Sequence, residues 1–564
     1  MSADPQATFC ATLVDEWIRL GVRHAAIAPG SRSTPLALAI TSRSEIRVEV
    51  FHDERSAAFA ALGMGLATRV PAVVLCTSGT AATHFHGAVV EAHQSGVPML
   101  VVTADRPPEL HGVGAPQTID QHRLYGTAVR AFFEPGVAVA EGAECWRDLA
   151  ADAWSAASST TPGPVHLNLA FREPLVGEVG MVPAPRPRRK GRSEVADGDW
   201  PVVDVESLAS MVSDADGVIV AGEGIDDPQA VALLAEALGW PILADPRSGV
   251  GHHAGAITTA DTLLRHPAFA AANRAGMVLQ LGQPPASKVV GQWLATTGTS
   301  HVAVSSYGLI SDPQLVGAMQ VHAAVGRLCD SLRALIHVTA SGGRREAWVA
   351  ADSVAHGVFG GLLDNADSVD DPAVARAVVA ALPETANLVV SSSMPIRDVE
   401  WFATPRGDVT VLSNRGANGI DGVLATAIGV AAASGRPTMV AIGDVALLHD
   451  SSSLAALAAR DLDLTIVVTD NDGGAIFSFL PQATALPAER FEQLFGTPHH
   501  TDLVALAAAH GITAATVDSL VGLRAAVSTG GTKLVRIATD RTATVAAHRR
   551  LHDAVAAALT AAGY

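Results

Sequence analysis

In the last third of the chain, two short motifs each come shortly after a predicted strand, namely Gly443-Asp444 and Asn471-Asp472. Asp444 and Asn471 are 27 positions apart. Gly443-Asp444 follows the apolar run 438–442, and Asn471 comes shortly after the apolar run 464–469. A right-handed crossover makes such strands parallel and often adjacent, so their carboxyl ends share the edge where open α/β sheets bind ligands. A carboxylate, an amide oxygen and a nearby backbone carbonyl suit Mg²⁺ and leave positions for phosphate oxygens. The pattern predicts a metal and diphosphate site, although either pair alone is more often a plain turn.

A second candidate for chemistry is Glu54, in the segment His52-Asp53-Glu54-Arg55-Ser56. This segment follows a predicted strand and opens an Ala-rich stretch that predicts a helix. On local sequence alone the simpler interpretation is an acidic first turn that the helix dipole stabilises.

Four arginines each follow a predicted strand inside a Gly-, Ser- or Pro-containing loop, namely Arg32, Arg106, Arg397 and Arg415. A planar guanidinium group matches a carboxylate through two parallel hydrogen bonds. A single loop arginine is usually only solvated. Four of them beside predicted strand ends suggest substrates that carry several carboxylates.

Short apolar runs alternate with Ala-rich stretches through most of the 564 residues, which predicts an α/β fold of parallel sheets with crossover helices. We expect three domains, each with a mainly parallel sheet flanked by helices. Their predicted ranges are 1–180, 202–345 and 370–564, joined by a Pro- and Arg-rich linker at 181–201 and a second irregular linker at 346–369.

The composition excludes several classes of protein. The net charge is −18 and no basic run is long enough to predict a nucleic-acid groove. The four cysteines, Cys10, Cys76, Cys145 and Cys329, are far apart and fit a reducing compartment. No signal peptide or transmembrane run is predicted, so we expect a cytoplasmic protein.

The Gly443-Asp444 and Asn471 pattern resembles the metal-binding motif of thiamine-diphosphate enzymes. The resemblance implies thiamine diphosphate and Mg²⁺, for which Mn²⁺ can substitute, with the metal held by Asp444, Asn471 and the carbonyl of Gly473. The motif usually reads Gly-Asp-Gly and Asn-Asn, whereas this chain has Val445 and Asp472 at the last positions. Cofactor contacts implied by the resemblance come from Thr77, Ser393, Ile420, Gly443, Asp444, Val445, Ala446 and Asn471.

In that family a glutamate at the start of a helix of small residues activates the cofactor through its pyrimidine ring, and Glu54 matches it. Such proton sharing is ordinary acid–base chemistry by a carboxylate with a tuned pKa. Ile420 matches the bulky residue that keeps the cofactor bent. The first domain would then bind the pyrimidine and the third the diphosphate, with sites at subunit interfaces of a homodimer or a dimer of dimers. The central Gly222-Glu223-Gly224 is a weak dinucleotide signal, and we expect no bound flavin or NAD.

A sharper resemblance is to the 2-succinyl-5-enolpyruvyl-6-hydroxy-3-cyclohexene-1-carboxylate (SEPHCHC) synthases of menaquinone biosynthesis. The segments that carry it are 28–33, 53–56, 77–80, 104–108 and 413–416. This family decarboxylates 2-oxoglutarate and adds the succinyl unit to isochorismate. The resemblance implies substrate contacts from Ser31, Arg32, Arg106, Gln117, Ser393, Arg397 and Arg415, an apolar wall of Ile476 and Phe477, and a cationic contact from Lys288.

Two alternatives remain open at this point. Another thiamine-dependent 2-oxo-acid carboligase or decarboxylase would share the cofactor motifs, but the four arginines favour more highly charged substrates. A catalytically silent binding or regulatory protein on the same fold would not need Glu54, Asp444 and Asn471 together.

Overall fold

The computed structural model describes residues 4–185, 204–297, 300–307, 312–314, 316–336, 343–364, 366 and 369–564. Three six-stranded sheets follow one another along this part of the chain, and every pair of neighbouring strands in them is parallel. The predicted class, α/β with three parallel sheets flanked by helices, is confirmed.

The first sheet has the strand order β2-β1-β3-β4-β6-β5. Its strands are β1 (His24–Ile27), β2 (Arg47–Val50), β3 (Ala72–Cys76), β4 (Met99–Asp105), β5 (Ala131–Phe133) and β6 (Pro164–Ala170). The helices are α1 (Pro5–Arg19), α2 (Thr34–Thr41), α3 (Glu54–Thr68), α4 (Thr80–Thr83), α5 (His86–Ser95) and α6 (Trp146–Ala157), with 3-10 turns at Pro108–Leu110 and Ala140–Cys145. Strands β3 and β4 are buried along their whole length, as expected of central parallel strands.

The second sheet has the order β12-β11-β10-β7-β8-β9. Its strands are β7 (Gly217–Ala221), β8 (Ile242–Ala244), β9 (Ala256–Ile257), β10 (Met277–Leu281), β11 (Ser300–Ser305) and β12 (Met319–His322). The helices are α7 (Val205–Ser213), α8 (Pro228–Leu238), α9 (Ala260–Leu264), α10 (Pro267–Ala272), α11 (Lys288–Thr296), α12 (Val325–Leu335) and α13 (Gly343–Leu363), with a 3-10 turn at Pro246–Ser248.

The third sheet has the order β14-β13-β15-β16-β18-β17. Its strands are β13 (Asn387–Val390), β14 (Thr410–Leu412), β15 (Thr438–Gly443), β16 (Leu464–Asp470), β17 (Thr513–Val517) and β18 (Lys533–Ala538). The first helices are α14 (Asp371–Ala381), α15 (Met394–Phe402), α16 (Val423–Ser434), α17 (Asp444–His449) and α18 (Ser452–Ala458). The remaining helices are α19 (Gln482–Ala485), α20 (Ala488–Phe491), α21 (Leu503–Ala509), α22 (Leu520–Val527) and α23 (Thr544–Ala561), with a 3-10 turn at Ala475–Phe479 and a π-helical turn at Glu492–Gly496.

The two predicted linkers differ in how they compare with the structure. The range 346–369 was predicted to be irregular, and this is wrong because helix α13 fills most of it. Trp348, Phe359 and Leu363 are among the residues that bury one face of this helix. Of the linker predicted at 181–201, residues 186–201 lie outside the described chain, and 181–185 form neither helix nor strand. The domain boundaries themselves stay predictions.

The chain divides into two compact units. The first consists of residues 1–199, 414–436 and 449–462, and the second of residues 200–413, 437–448 and 463–564. Helices α16 and α18 therefore belong to the first unit, although they lie next to third-sheet strands in the sequence. Among the helices of the described residues, none is long and apolar enough to cross a membrane.

Helices α3 and α16 pack closely within the first unit. A Cβ atom on Gly63 would overlap the carbonyl oxygen of Thr426, and one on Gly429 would overlap the carbonyl oxygen of Ala60. Each helix therefore uses a glycine where the backbone of the other approaches. The Ala-rich stretch after Glu54 is small because a neighbouring helix lies against it.

Candidate active site

The carboxyl edge of strands β15 and β16 holds the predicted metal ligands. The two strands are adjacent and parallel, with Gly443 opposite Thr469. Asp444 is buried directly after β15, and its Oδ2 accepts hydrogen bonds from the backbone N–H groups of Gly473 (2.9 Å) and Asn471 (3.2 Å). The structure thus brings together the three residues that the sequence pattern grouped.

The side chain of Asn471 supplies an observation on what this edge could hold. Its Oδ1 atom is buried and has no hydrogen-bond partner among the described residues. A buried amide oxygen left unpaired is costly, so it needs an explanation. Gly473 has a φ of +143°, and a Cβ there would overlap the carbonyl oxygen of Gly496. An unpaired amide oxygen beside a carboxylate fits a hard divalent cation such as Mg²⁺.

The electrostatics of Asp444 point the same way. Burial raises the pKa of this carboxyl group to about 6, and the nearby carboxylate of Asp470 adds to the rise, although N–H groups of Gly473 and Val445 oppose it. A bound divalent cation would favour the charged form, because metal ligands bind deprotonated.

Sequence reasoning missed His499 as a neighbour of Asp444. Its Nε2 lies 3.3 Å from Asp444 Oδ2 and 3.9 Å from Asp470 Oδ1. Its Nδ1 accepts a hydrogen bond of 2.9 Å from the N–H of Thr501, so the proton of the neutral ring is assigned to Nε2. His499 therefore donates to Asp444 in this arrangement. No motif signals it, because 55 residues separate it from Asp444.

The departure from the usual motif at Asp472 also has a local explanation. This residue has a φ of +56°, and its Oδ1 accepts the backbone N–H groups of His499 (2.9 Å) and His500 (2.7 Å). The carboxylate thus holds the segment that carries His499.

In the first unit, Glu54 is the first residue of helix α3 and is half-buried. Asp53 caps the helix by accepting the N–H of Arg55 (2.9 Å), and it also accepts the hydroxyl of Ser452 (2.7 Å). Burial and the nearby Glu54 carboxylate together raise the pKa of the Cys76 thiol. The first turn of α3, which carries Glu54, is therefore held both by the Asp53 cap and by the hydrogen bond from Ser452 to Asp53.

Two other residues predicted to contact substrate or cofactor, Thr77 and Arg106, lie near Arg32 in the same unit. Arg32 is buried; its N–H donates to Thr77 Oγ1 (3.3 Å) and its Nη1 to the carbonyl of Phe171 (3.0 Å). Burial, and then the positive charge of Arg106, lower the pKa of Arg32, although the charge of Glu173 opposes this. The Nε of Arg32 and that of Arg106 are both buried without a partner among the described residues. Two neighbouring guanidinium groups with unused donors fit an anionic ligand.

The loop residues beside them are more exposed. Ser31 is exposed, and its carbonyl accepts the N–H of Thr34 at 3.1 Å. Gln117 is also exposed and has a φ of +57°. Its Nε2 donates to the carbonyl of Ser78 (3.1 Å), and the Ser78 hydroxyl donates back to the Gln117 carbonyl (2.9 Å).

The remaining predicted residues lie on loops and helix starts. In the second unit, Ser393 has a φ of +76° and its carbonyl accepts a hydrogen bond from Nη1 of Arg397. Ile476 is half-buried against the core, and the Phe477 ring lies 5.4 Å from that of Phe495. Lys288 is exposed at the first turn of α11. In the first unit, Arg415 and Ile420 are half-buried on the loop between β14 and α16; Val445 and Ala446 follow Asp444 in α17 of the second unit.

Comparison with known proteins gives the class to which the chain belongs. Three family models match in order: the thiamine pyrophosphate enzyme N-terminal TPP binding domain at 8–124, the middle domain at 201–390 and the C-terminal TPP binding domain at 393–537. The crystal structure of benzoylformate decarboxylase from Polynucleobacter necessarius is similar, with a TM-score of 0.70 and 17% identity over 95% of this chain and 99% of that one. The fold and the domain matches define a thiamine pyrophosphate enzyme.

Full-length relatives narrow the class. A protein of Thermobifida fusca is 42% identical, over 99% of this chain and 100% of its own length, and one of Myxococcus xanthus is 40% identical, over 97% of each. A protein of Chloroflexus aurantiacus is 40% identical over 96% of this chain and 95% of its own. All three are named 2-succinyl-5-enolpyruvyl-6-hydroxy-3-cyclohexene-1-carboxylate synthase. The chain belongs to this synthase family.

Proposed function

We propose that this enzyme decarboxylates 2-oxoglutarate and adds the succinyl unit in a 1,4 sense to isochorismate, a step of menaquinone biosynthesis that releases CO₂ and forms SEPHCHC. Membership in the synthase family supports the substrates. The observation that supports an active rather than a silent enzyme is the unpaired, buried Oδ1 of Asn471 near Asp444.

The cofactor would be thiamine diphosphate with Mg²⁺, or Mn²⁺ in its place. When bound, thiamine diphosphate supplies the carbon nucleophile and the electron sink that decarboxylation requires. Asp444, Asn471 and the carbonyl of Gly473 would hold the metal ion. The residues assigned to the rest of the cofactor are Thr77, Ser393, Ile420, Gly443, Val445 and Ala446.

Glu54 would exchange a proton with the N1′ atom of the cofactor's pyrimidine ring. A carboxylate suits this task when its orientation is fixed, because acid–base groups act only within hydrogen-bond reach. The capping of α3 by Asp53, and the bond from Ser452 to Asp53, support such an orientation.

The substrates would be bound largely by positively charged side chains. We assign the carboxylates of 2-oxoglutarate to Arg397, Arg415 and Ser393, and isochorismate to Ser31, Arg32, Arg106 and Gln117. Ile476 and Phe477 would form an apolar wall, and Lys288 would add a positive charge. The unused Nε donors of Arg32 and Arg106 support this assignment, since a buried donor atom without an acceptor bears a desolvation cost.

On this proposal residues 1–180 form the pyrimidine-binding domain and 370–564 the diphosphate- and metal-binding domain, while the central domain, 202–345, binds neither flavin nor NAD. The functional assembly would be a cytoplasmic homodimer or dimer of dimers whose active sites lie at the subunit interface.

The test is incubation of the purified protein with 2-oxoglutarate and isochorismate, with and without thiamine diphosphate and Mg²⁺, followed by mass analysis. A product of the mass of SEPHCHC that requires all four components is expected. Release of CO₂ without an isochorismate adduct would instead indicate another thiamine-dependent decarboxylase. No cofactor-dependent turnover with any 2-oxo acid would indicate a silent protein.

A further inference from the structure

A buried carboxylate in the first unit binds the loop that carries Arg415. Glu91 lies on helix α5 and is 4% exposed. Its Oε1 accepts the backbone N–H of Gly416 and its Oε2 that of Ala417, both at 2.7 Å. The hydroxyl of Ser95 donates to Oε1 at 2.7 Å. The partners of this buried charge among the described residues are thus three uncharged donors, two of them on one short loop.

The first residues of the loop are held by side-chain bonds, because the Ser413 hydroxyl donates to the carbonyl of Val390 and Asn414 Nδ2 donates to Thr426 Oγ1. For the following segment, 416–421, the backbone hydrogen bonds to the rest of the described chain are those that the N–H groups of Gly416 and Ala417 donate to Glu91. Gly416 lies directly against α5, because a Cβ there would overlap Ser95 Oγ and lie 2.8 Å from the carbonyl oxygen of Glu91. Asn418 has a φ of +63°, a conformation that Asn tolerates better than most residues.

We propose that Glu91 is a positioning residue for the reaction: by binding two consecutive backbone N–H groups, it fixes the loop that presents Arg415 to the substrate carboxylate. This rests on the proposed function, because it is there that Arg415 is assigned to 2-oxoglutarate. Arg415 immediately precedes the two N–H groups that Glu91 binds, so a shift of this loop moves the guanidinium group as well.

Why a carboxylate is needed follows from its acceptor geometry. Two N–H donors on neighbouring residues reach its two oxygens, and bonds from neutral donors to a charged acceptor are roughly twice as strong as neutral ones. In Glu91→Gln the shape is kept, but one oxygen becomes an NH₂ group that faces a backbone N–H donor. One of the two ties is therefore lost.

The experiment compares Glu91→Gln with the parent and with Ser95→Ala, all loaded with thiamine diphosphate and Mg²⁺. Ser95→Ala removes one donor to Glu91 but keeps both loop bonds, which makes it the matched control. Hydrogen exchange of a peptide covering 414–422 should quicken about tenfold or more in Glu91→Gln and stay within about threefold in Ser95→Ala. Unchanged exchange in Glu91→Gln would overturn the proposal.

The second measurement is steady-state kinetics with 2-oxoglutarate and isochorismate. Glu91→Gln should lower kcat/KM for 2-oxoglutarate about 10- to 100-fold, mainly through KM, since charged hydrogen bonds have about that effect. With thiamine diphosphate saturating, so that cofactor binding through Ile420 on the same loop does not limit the rate, the same substitution on an Arg415→Ala background should cost less than about twofold, because the guanidinium group it positions is already gone. An equal cost on both backgrounds would overturn the positioning role.

A second variant and the parent enzyme itself provide two further measurements. If Glu91→Gln does not fold, Gly416→Ala replaces it, because the added Cβ displaces the loop from α5. This variant should show the same faster exchange and the same loss in kcat/KM. Normal exchange and kinetics in Gly416→Ala would overturn the proposal. A parent enzyme that does not use 2-oxoglutarate would refute the proposed function instead, and with it the role of Glu91 in catalysis, even where exchange still showed that Glu91 holds the loop.

Discussion

Replacing Asp444 by Asn tests the metal assignment while keeping the shape of the side chain. The carboxylate faces Asn471 and accepts three backbone N–H groups, those of Val445, Asn471 and Gly473. The amide keeps one acceptor oxygen but brings no negative charge to the cation. Changes in residues that merely orient metal ligands cost about 10- to 100-fold in affinity. Loss of a charged ligand should therefore weaken Mg²⁺-dependent binding of thiamine diphosphate at least about 100-fold, or about 2.8 kcal/mol.

The same substitution has a pH signature in the cofactor-free protein. The folded-state pKa of Asp444 is about 6, above its ordinary value of 3.8. A carboxyl group with a raised pKa contributes stability that is present below the unfolded pKa and is lost as pH rises through the folded pKa. The shift is worth about 3 kcal/mol. Because pH 4 still lies slightly above the unfolded pKa, the parent should gain about 2 kcal/mol of this relative to Asp444→Asn between pH 7 and pH 4.

Isothermal titration calorimetry with thiamine diphosphate at saturating Mg²⁺ measures the first effect, and urea unfolding across this pH range measures the second. Asp472→Asn is the control, because it removes a nearby carboxylate that contacts His499 and His500 rather than Asp444. The control should bind cofactor within about threefold of the parent. Near-normal cofactor affinity in Asp444→Asn would refute the metal assignment, and a stability difference independent of pH would refute the burial argument.

The other predictions concern catalysis, substrate choice and packing. Glu54→Gln should bind cofactor normally in calorimetry yet lose about 10²- to 10⁴-fold in turnover, since an amide cannot share the proton; activity within twofold of the parent would mean that another group activates the cofactor. The parent should prefer 2-oxoglutarate to pyruvate in kcat/KM, and Arg397→Ala or Arg415→Ala should weaken use of 2-oxoglutarate by about 1.5–3 kcal/mol with a smaller effect on pyruvate; a parent that prefers pyruvate would exclude the substrate assignment. Gly63→Ala should lower the free energy of unfolding by about 1–3 kcal/mol in urea titrations, because the new methyl group meets the Thr426 carbonyl; an unchanged midpoint would contradict the close packing of α3 and α16.

The third sheet shows why part of the site could be predicted from sequence. Strands β15 and β16 are short, apolar and buried, and polar residues follow each of them. Parallel pairing of two such strands is enough to bring Asp444 to the backbone of Asn471. Here local sequence and topology carry all the information that the placement needs.

Other parts of the site depend on contacts that no local pattern encodes. Arg32 donates to the carbonyl of Phe171, 139 residues away, and His499 reaches Asp444 across 55 residues. The sequence shows that these residues can form hydrogen bonds but not with which partner. Helix α13 also depends on such contacts, since burial of Trp348 and Phe359 orders as a helix a segment that was predicted to be irregular.

The Ala-rich segment after Glu54 depends both on its local sequence and on contacts with residues far away in the chain. Its composition is typical of any buried helix, and the sequence alone leaves open why the side chains are so small. The structure gives the reason: Gly63 and Gly429 let α3 and α16 approach until the backbone of each helix meets the other. A carboxylate at the start of a helix moves with that helix, so the direction of Glu54 depends on contacts made two turns further along. If Glu54 activates the cofactor, substitutions at Gly63 should lower turnover even where the protein still folds, and a normal rate in a folded, destabilised Gly63→Ala enzyme would separate the packing of α3 from its chemistry.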